Sequence, residues 1–197
     1  MFADDGAFLL LSRDDLVAAS KLIVTEFKRF GLTVHLGTRS TNAASKTGAM
    51  FIPPRNHKPG ATVTRETADY DVQPDRFISF CDNFKYLGSF ITPSLSEDFD
   101  INRRVNKARA AKQLMRPILT SKSIPQLLRA QLYKQTVLNI LLFGCETWAL
   151  TKDQLARLRR AHNDCTGLIY GITRWHHQHE HVCTEEVLGA LLLDPLE

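Results

Sequence analysis

No run of about 18 uncharged apolar residues occurs anywhere in these 197 residues, which excludes a helix that crosses a bilayer. No basic segment, apolar stretch and small-residue cleavage site open the chain, so no secretory signal is legible. Cysteine is scarce. Cys81, Cys145, Cys165 and Cys183 lie far apart and form no CxxC pair, so a disulfide framework and a zinc ribbon are both unexpected. Reduced, mostly buried thiols and an intracellular setting, nuclear or cytoplasmic, are the expectation. No internal repeat and no low-complexity tract appears. What remains is an ordinary composition, 44% hydrophobic and 23% charged, which is enough apolar material to build a core.

The charge is unevenly placed. Net charge is only +4, yet between Asp100 and Arg160 there are 13 Lys and Arg against 3 Asp and Glu. That block carries +10 and the remainder −6. A basic segment of this kind suits a polyanion; the simpler reading is a solvated helix face.

Two regimes of patterning divide the chain. Phe2–Leu11 is apolar on both sides of Asp4-Asp5-Gly6, which reads as strand, turn, strand. Leu16, Ala19, Ile23, Phe27 and Phe30 then recur at steps of three and four, and Gly31 is a natural stop, so a helix is expected over 15–30. Short strands are expected at Leu32–Leu36 and in KTGAMFIPP, a loop over 55–74, and a hairpin in FISFCDNFKYLGSFIT with its turn near Asp82-Asn83. After Pro93 the period becomes helical. Ile101, Val105, Ala108 and Met115 predict a helix up to Pro117. Ser123 with Gln126, and Thr151 with Gln154, have capping-box spacing at the head of two more helices, the first running to about Leu142 and the second to Gly171. A last short helix is expected from Thr184. The plan is α+β up to about residue 96 and all-α from 97 to 197.

Asp4 and Asp5 are the first chemical candidates. Carboxylates presented by a turn hold a hard divalent cation through oxygen, and Mg²⁺ accepts one or two of them alongside phosphate oxygens. Asp-Asp-Gly is also ordinary turn chemistry. The second candidate is WHHQHEHVC, in which His177, His179, His181 and Cys183 alternate. Imidazole and thiolate suit Zn²⁺, but the spacing is neither C-x₂₋₄-C nor H-x₃₋₅-H, and a solvated loop is the default. Arg157, Arg159 and Arg160 point to different sides of their helix. Trp148 and Trp175 read as packing anchors.

The order FADD, helix, FGL, SKTGAM, FKYLGSFIT and LLFGCETW resembles the reverse transcriptases of non-LTR (LINE-type) retrotransposons, and the resemblance spans nearly the whole chain. It implies a partial polymerase palm over 1–96, made of short antiparallel strands with one packed helix. An all-α, thumb-like region over 97–197 would follow. On this resemblance FADD looks like the metal-binding palm turn, with Asp4 and Asp5 as catalytic metal ligands for Mg²⁺. Lys46 in SKT looks like the lysine near the incoming triphosphate, although TRSTNAA before it lengthens the usual loop; a surface Lys at a strand start is the alternative. Tyr86, Leu87 and Gly88 look like the primer-contacting hairpin, with core packing the alternative for the first two. Arg103, Arg104, Lys107, Arg109 and Lys112 would line the phosphates of a primer–template duplex.

The implied partners are an RNA template, a DNA primer and a dNTP, with no membrane. The implied reaction is RNA-directed addition of dNTPs to a DNA 3′ hydroxyl. A two-metal site also needs a carboxylate from a preceding strand, and the fingers would precede it. Only Met1 and two residues stand before Asp4, and Asp14 and Asp15 open the next helix instead. The chain is therefore expected not to polymerise alone, and to leave an apolar sheet edge uncovered. The alternative is a non-catalytic basic module that binds nucleic acid.

Overall fold

The computed structural model describes residues 6–53, 68–172 and 183–196. The chain divides into two compact units, Met1–Ser96 and Glu97–Glu197. Among the described residues the class is mixed α+β, with five helices and short strands in two small sheets.

The first unit is organised around helix α1 (Arg13–Arg29). Ser12 caps it, its hydroxyl accepting the Asp15 N–H at 3.1 Å. Asp14 and Asp15 lie in the first turn and Lys28 and Arg29 in the last, each sign at the favourable end of the helix dipole. Gly31, at φ 74°, closes the helix: its N–H donates to Lys28 O at 3.1 Å and the Leu32 N–H to Phe27 O at 2.9 Å. That is a Schellman ending, which a residue with a Cβ adopts only under strain.

One face of α1 buries Ser20 and Val24 against a sheet of four strands: β1 (Gly37–Thr38), β2 (Gly48–Ala49), β3 (Tyr70–Gln73) and β4 (Arg76–Phe80). β4 is the hub. It pairs antiparallel with β1 and β3 and parallel with β2. Leu36, Ala49, Tyr70, Val72 and Ile78 join Val24 in the core beneath it. The Tyr70 hydroxyl meets Ser20 Oγ at 3.0 Å, which satisfies both buried groups. A second sheet is the hairpin β5 (Phe84–Tyr86) and β6 (Ser89–Ile91).

Several expectations for this unit are corrected. Ala7–Leu11 forms no strand; Leu9 and Leu11 are almost wholly exposed. Leu32–Leu36 is also irregular, and strand pairing begins only at Gly37. A loop was expected over 55–74, yet 70–73 is β3, because Tyr70 and Val72 point inward while Asp71 and Gln73 point out. Asp82-Asn83 is not a hairpin turn. β4 is already paired on both edges, so the chain leaves the sheet there and turns instead at Leu87-Gly88.

The second unit is helical: α2 (Asp98–Leu119), α3 (Gln126–Tyr133), α4 (Lys152–Tyr170) and α5 (Thr184–Leu191). α3 runs on through a π-helical turn (Lys134–Leu138) into a last turn, Asn139–Leu141. Ile101, Leu119, Tyr133, Val137, Leu158 and Ile169 are almost wholly buried in one core. Burying side chains of this size is worth about 1.5–3 kcal/mol each. α2 passes Pro117 and ends at Leu119, two residues later than expected. The proline's missing N–H falls in the last turn, and Leu119 is fully buried.

The two capping signatures part company. Thr151 Oγ1 accepts the Gln154 N–H at 3.3 Å and Gln154 Oε1 accepts the Thr151 N–H at 2.8 Å, a complete box. Ser123 caps nothing; Pro125 takes the N-cap position and the Ser123 hydroxyl bonds Ser121 at 2.7 Å. Arg129 ties helix ends together. Its guanidinium donates to Leu119 O at 2.8 Å, Ile169 O at 3.0 Å and Ile124 O at 3.2 Å, placing a cation on carbonyls that end α2 and α4. Of the four free cysteines only Cys165 is buried, so the thiols are not mostly buried; Cys145 and Cys183 are exposed. Among the described residues no helix is long and apolar enough to cross a membrane.

Candidate nucleic-acid interface

Asp4 and Asp5 lie outside the described residues, and so do His177, His179, His181 and Trp175. Among the described residues no group of three or more His, Cys, Asp or Glu is placed to hold a metal ion. The paired carboxylates have the right chemistry for part of a Mg²⁺ shell.

Lys46 sits in the connection between β1 and β2, two residues before β2, with an exposed side chain. Its backbone is held: the N–H donates to His35 Nδ1 at 3.1 Å, and the neighbouring Ser45 hydroxyl donates to His35 O at 3.0 Å. The TRSTNAA insertion is folded into a tight loop closed by an isolated bridge between Thr38 and Ala43. Asp75 fastens that loop, accepting the Ser40 N–H at 2.8 Å and the Ser40 hydroxyl at 2.6 Å. Those bonds hold the Asp75 carboxyl below its ordinary range.

Tyr86, Leu87 and Gly88 are brought together at the tip of the β5–β6 hairpin. Tyr86 pairs with Ser89 across a two-residue loop, with φ 48° at Leu87 and 90° at Gly88. Two positive φ values in succession suit the twist of a tight hairpin, and Gly accepts its share freely while Leu does not. Leu87 is 47% exposed, which removes core packing as its role. Tyr86 is half-buried. The base of the hairpin lies against β2, since a Cβ on Gly48 would meet Cys81 Sγ at 3.2 Å and the Phe84 ring at 3.5 Å.

The five cations expected on α2 do not form one surface. Arg104 is turned inward and only 6% exposed. Its Nε lies 3.7 Å from Asp100 Oδ1, and its guanidinium covers the Phe143 ring at 4.3 Å. Trp148 Nε1 donates to Asp100 Oδ2 at 3.4 Å from the other side. Arg104 is therefore a core residue, and its assignment to phosphate contact is withdrawn. The other four split. At about 100° per residue, Arg103 and Lys107 lie about 40° apart on one flank of α2, beside Phe99, Ala110 and the exposed Leu114. Arg109 and Lys112 lie on roughly the opposite flank, and Arg116 extends their row.

That second flank faces α4. Arg157 of α4 donates to Asn102 Oδ1 at 2.8 Å and pairs with Asp98. Further along both helices, the Lys112 charge acts on the Cys165 thiol; burial pushes that thiol up to about 11 and Lys112 pulls it back. The two pairings advance together, so α2 and α4 run in the same direction. The three arginines of α4 separate accordingly. Arg157 is spent on Asp98 and Asn102, Arg159 donates to Leu196 O at 2.5 Å, and Arg160 is exposed with no described ion pair. Sequence reasoning missed Arg116 and left Arg160 without a role. The signal for Arg116 was present, because Arg109, Lys112 and Arg116 step by three and four. The signal against Arg104 was present too: it lies inside the Ile101–Val105–Ala108 stripe with Asp100 four residues before it.

Inside the helical unit a polar pair is sealed. The Tyr133 hydroxyl and His162 Nδ1 are 2.6 Å apart and both residues are almost fully buried. Burial pushes the tyrosine up and the imidazole down, so the neutral forms persist at neutral pH.

Set against family models, curated proteins and solved structures, the chain matches none of them.

Proposed function

We propose that the chain is the C-terminal portion of a LINE-type reverse transcriptase, with palm elements in the first unit and a thumb in the second. The observation that carries the reading is the hairpin β5–β6. FKYLGSFI folds as a two-stranded sheet of its own, directly before the helical unit in the chain, where the resemblance puts the primer-contacting element. The exposed Lys46 near its base and the exposed Arg109 and Arg116 of α2 and Arg160 of α4 support it.

In the parent enzyme Asp4 and Asp5 would hold Mg²⁺ together with a carboxylate from a preceding strand. A Mg²⁺ ion held there would supply neutralising charge to the phosphates of an in-line transfer. Tyr86, Leu87 and Gly88 would position the primer end, and Lys46 would stand beside the triphosphate. The exposed cations of the helical unit would supply the duplex grip. A salt titration with a recessed RNA–DNA primer–template tests that grip: binding at about 50 mM salt that weakens as salt rises is expected, and no binding overturns the reading.

A second reading, a binding module with no catalytic ancestry, draws on the same exposed cations. Specificity separates the two. On the first reading the chain should prefer a recessed primer–template hybrid over blunt duplex of equal charge, whereas a generic polyanion binder should treat them alike.

A further inference from the structure

Resting on the nucleic-acid reading above, we propose that one edge of the helical unit is its phosphate track: Arg109, Lys112 and Arg116 of α2 with Arg160 of α4 beside them. Three observations lead there. Arg109, Lys112 and Arg116 follow one another at steps of three and four, so they form a single row about 10 Å long on the α2 surface. About three phosphate intervals of one duplex strand fit that length, at 3.4 Å of axial rise each. No ion pair among the described residues involves any of the four cations. The inner end of the same seam is already neutralised by Arg157 with Asp98 and Asn102, which leaves the excess positive charge on this stretch.

The seam also excludes the other occupants. Between the cations the exposed positions of the edge are polar, with Asp164 its carboxylate, and no exposed apolar side chain interrupts it. A protein partner needs an apolar centre to its interface. That feature belongs to the opposite flank, where Phe99, Ala110 and Leu114 accompany Arg103 and Lys107. A row of cations with nothing apolar among them suits a charged backbone that it neutralises without reading bases.

Three to four neutralised phosphates give a slope of log K against log[salt] of about −3, so affinity falls about 60-fold between 50 and 200 mM salt. The test uses the full chain and a fluorescent RNA–DNA hybrid of about 16 base pairs, with the matching DNA duplex and polyglutamate in parallel. Arg109→Ala/Arg116→Ala should lower the slope by about 1.8, leaving about a 5-fold loss over the same range. Arg109→Lys/Arg116→Lys should keep the slope, and Arg103→Ala/Lys107→Ala should leave it unchanged. Lys107, Arg109 and Arg116 are exposed and Arg103 is half-buried, and matching thermal melts certify the fold of each variant. If the Arg103/Lys107 pair carries the slope instead, or both pairs carry it equally, the assignment of the seam is wrong while the nucleic-acid reading stands. Binding to polyglutamate as tight as to duplex overturns the duplex as occupant. No binding to either duplex at 50 mM salt overturns the nucleic-acid reading itself.

Discussion

Replacing Arg104 should damage stability and spare nucleic-acid binding. Asp100 is 1% exposed and faces the Arg104 guanidinium at 3.7 Å, with the Trp148 indole N–H on its other oxygen. Arg104→Met keeps the length and apolar stem of the side chain and the cover over Phe143. It removes the countercharge and strands the carboxylate, a change that costs about 3–5 kcal/mol for a buried pair. With a urea m value of about 2 kcal/mol/M, the unfolding midpoint of the helical unit should drop by about 2 M. Asp100→Leu added to Arg104→Met should recover most of that loss, because removing both charges also removes their desolvation cost. Urea titrations followed by circular dichroism read both variants. A loss under 1 kcal/mol in the single variant, or a double variant no more stable than the single, would refute the reasoning. The salt slope of duplex binding, measured on the double variant, should match the wild type.

Stability should also respond to acid through His162. Its folded-state pKa is depressed by burial, so the unfolded chain binds a proton more readily. The contribution of the neutral imidazole is whole above about pH 6.5, the unfolded value, and is lost as pH falls toward the folded one. Unfolding free energy should therefore decline below about pH 6.5 by no more than about 1.4 kcal/mol per pH unit from this group, and His162→Gln should flatten the decline. Leu87→Asn replaces a strained left-handed residue with one that prefers that conformation, and Asn-Gly favours the tight hairpin turn; a gain of about 0.5–1 kcal/mol is expected in the melting of the first unit. Thr151→Ala removes one half of the capping box on α4 and should cost about 1 kcal/mol by denaturant titration, while Ser123→Ala, whose residue caps no helix, should cost about half that or less.

Helix periodicity was the most legible feature of this sequence. α1, α2 and α4 lie close to where the spacing of apolar residues put them, and Gly31 and Gly171 end their helices at positive φ. Those signals are local, and local chemistry decides them. The strands were poorly legible for the converse reason. β1 and β2 are two residues each and exist only because β4 pairs with them, which no short window records. The same limit explains the misplaced hairpin turn: Asp82-Asn83 has better turn composition than Leu87-Gly88, but β4 had no free edge to offer. Ser123 failed as a cap because Pro125 fixed the helix start two residues beyond it. For the interface, the basic block on α2 and α4 was visible as charge, while its division into two flanks and a buried arginine followed from which face α2 buries.

Duplex affinity of the full chain, measured from about 50 to 200 mM salt, tests the central claim most directly. A linear fall of log K with log[salt], at a slope of about −3, is the result this account requires. Affinity that ignores salt, or no measurable binding at the lowest concentration, would contradict it.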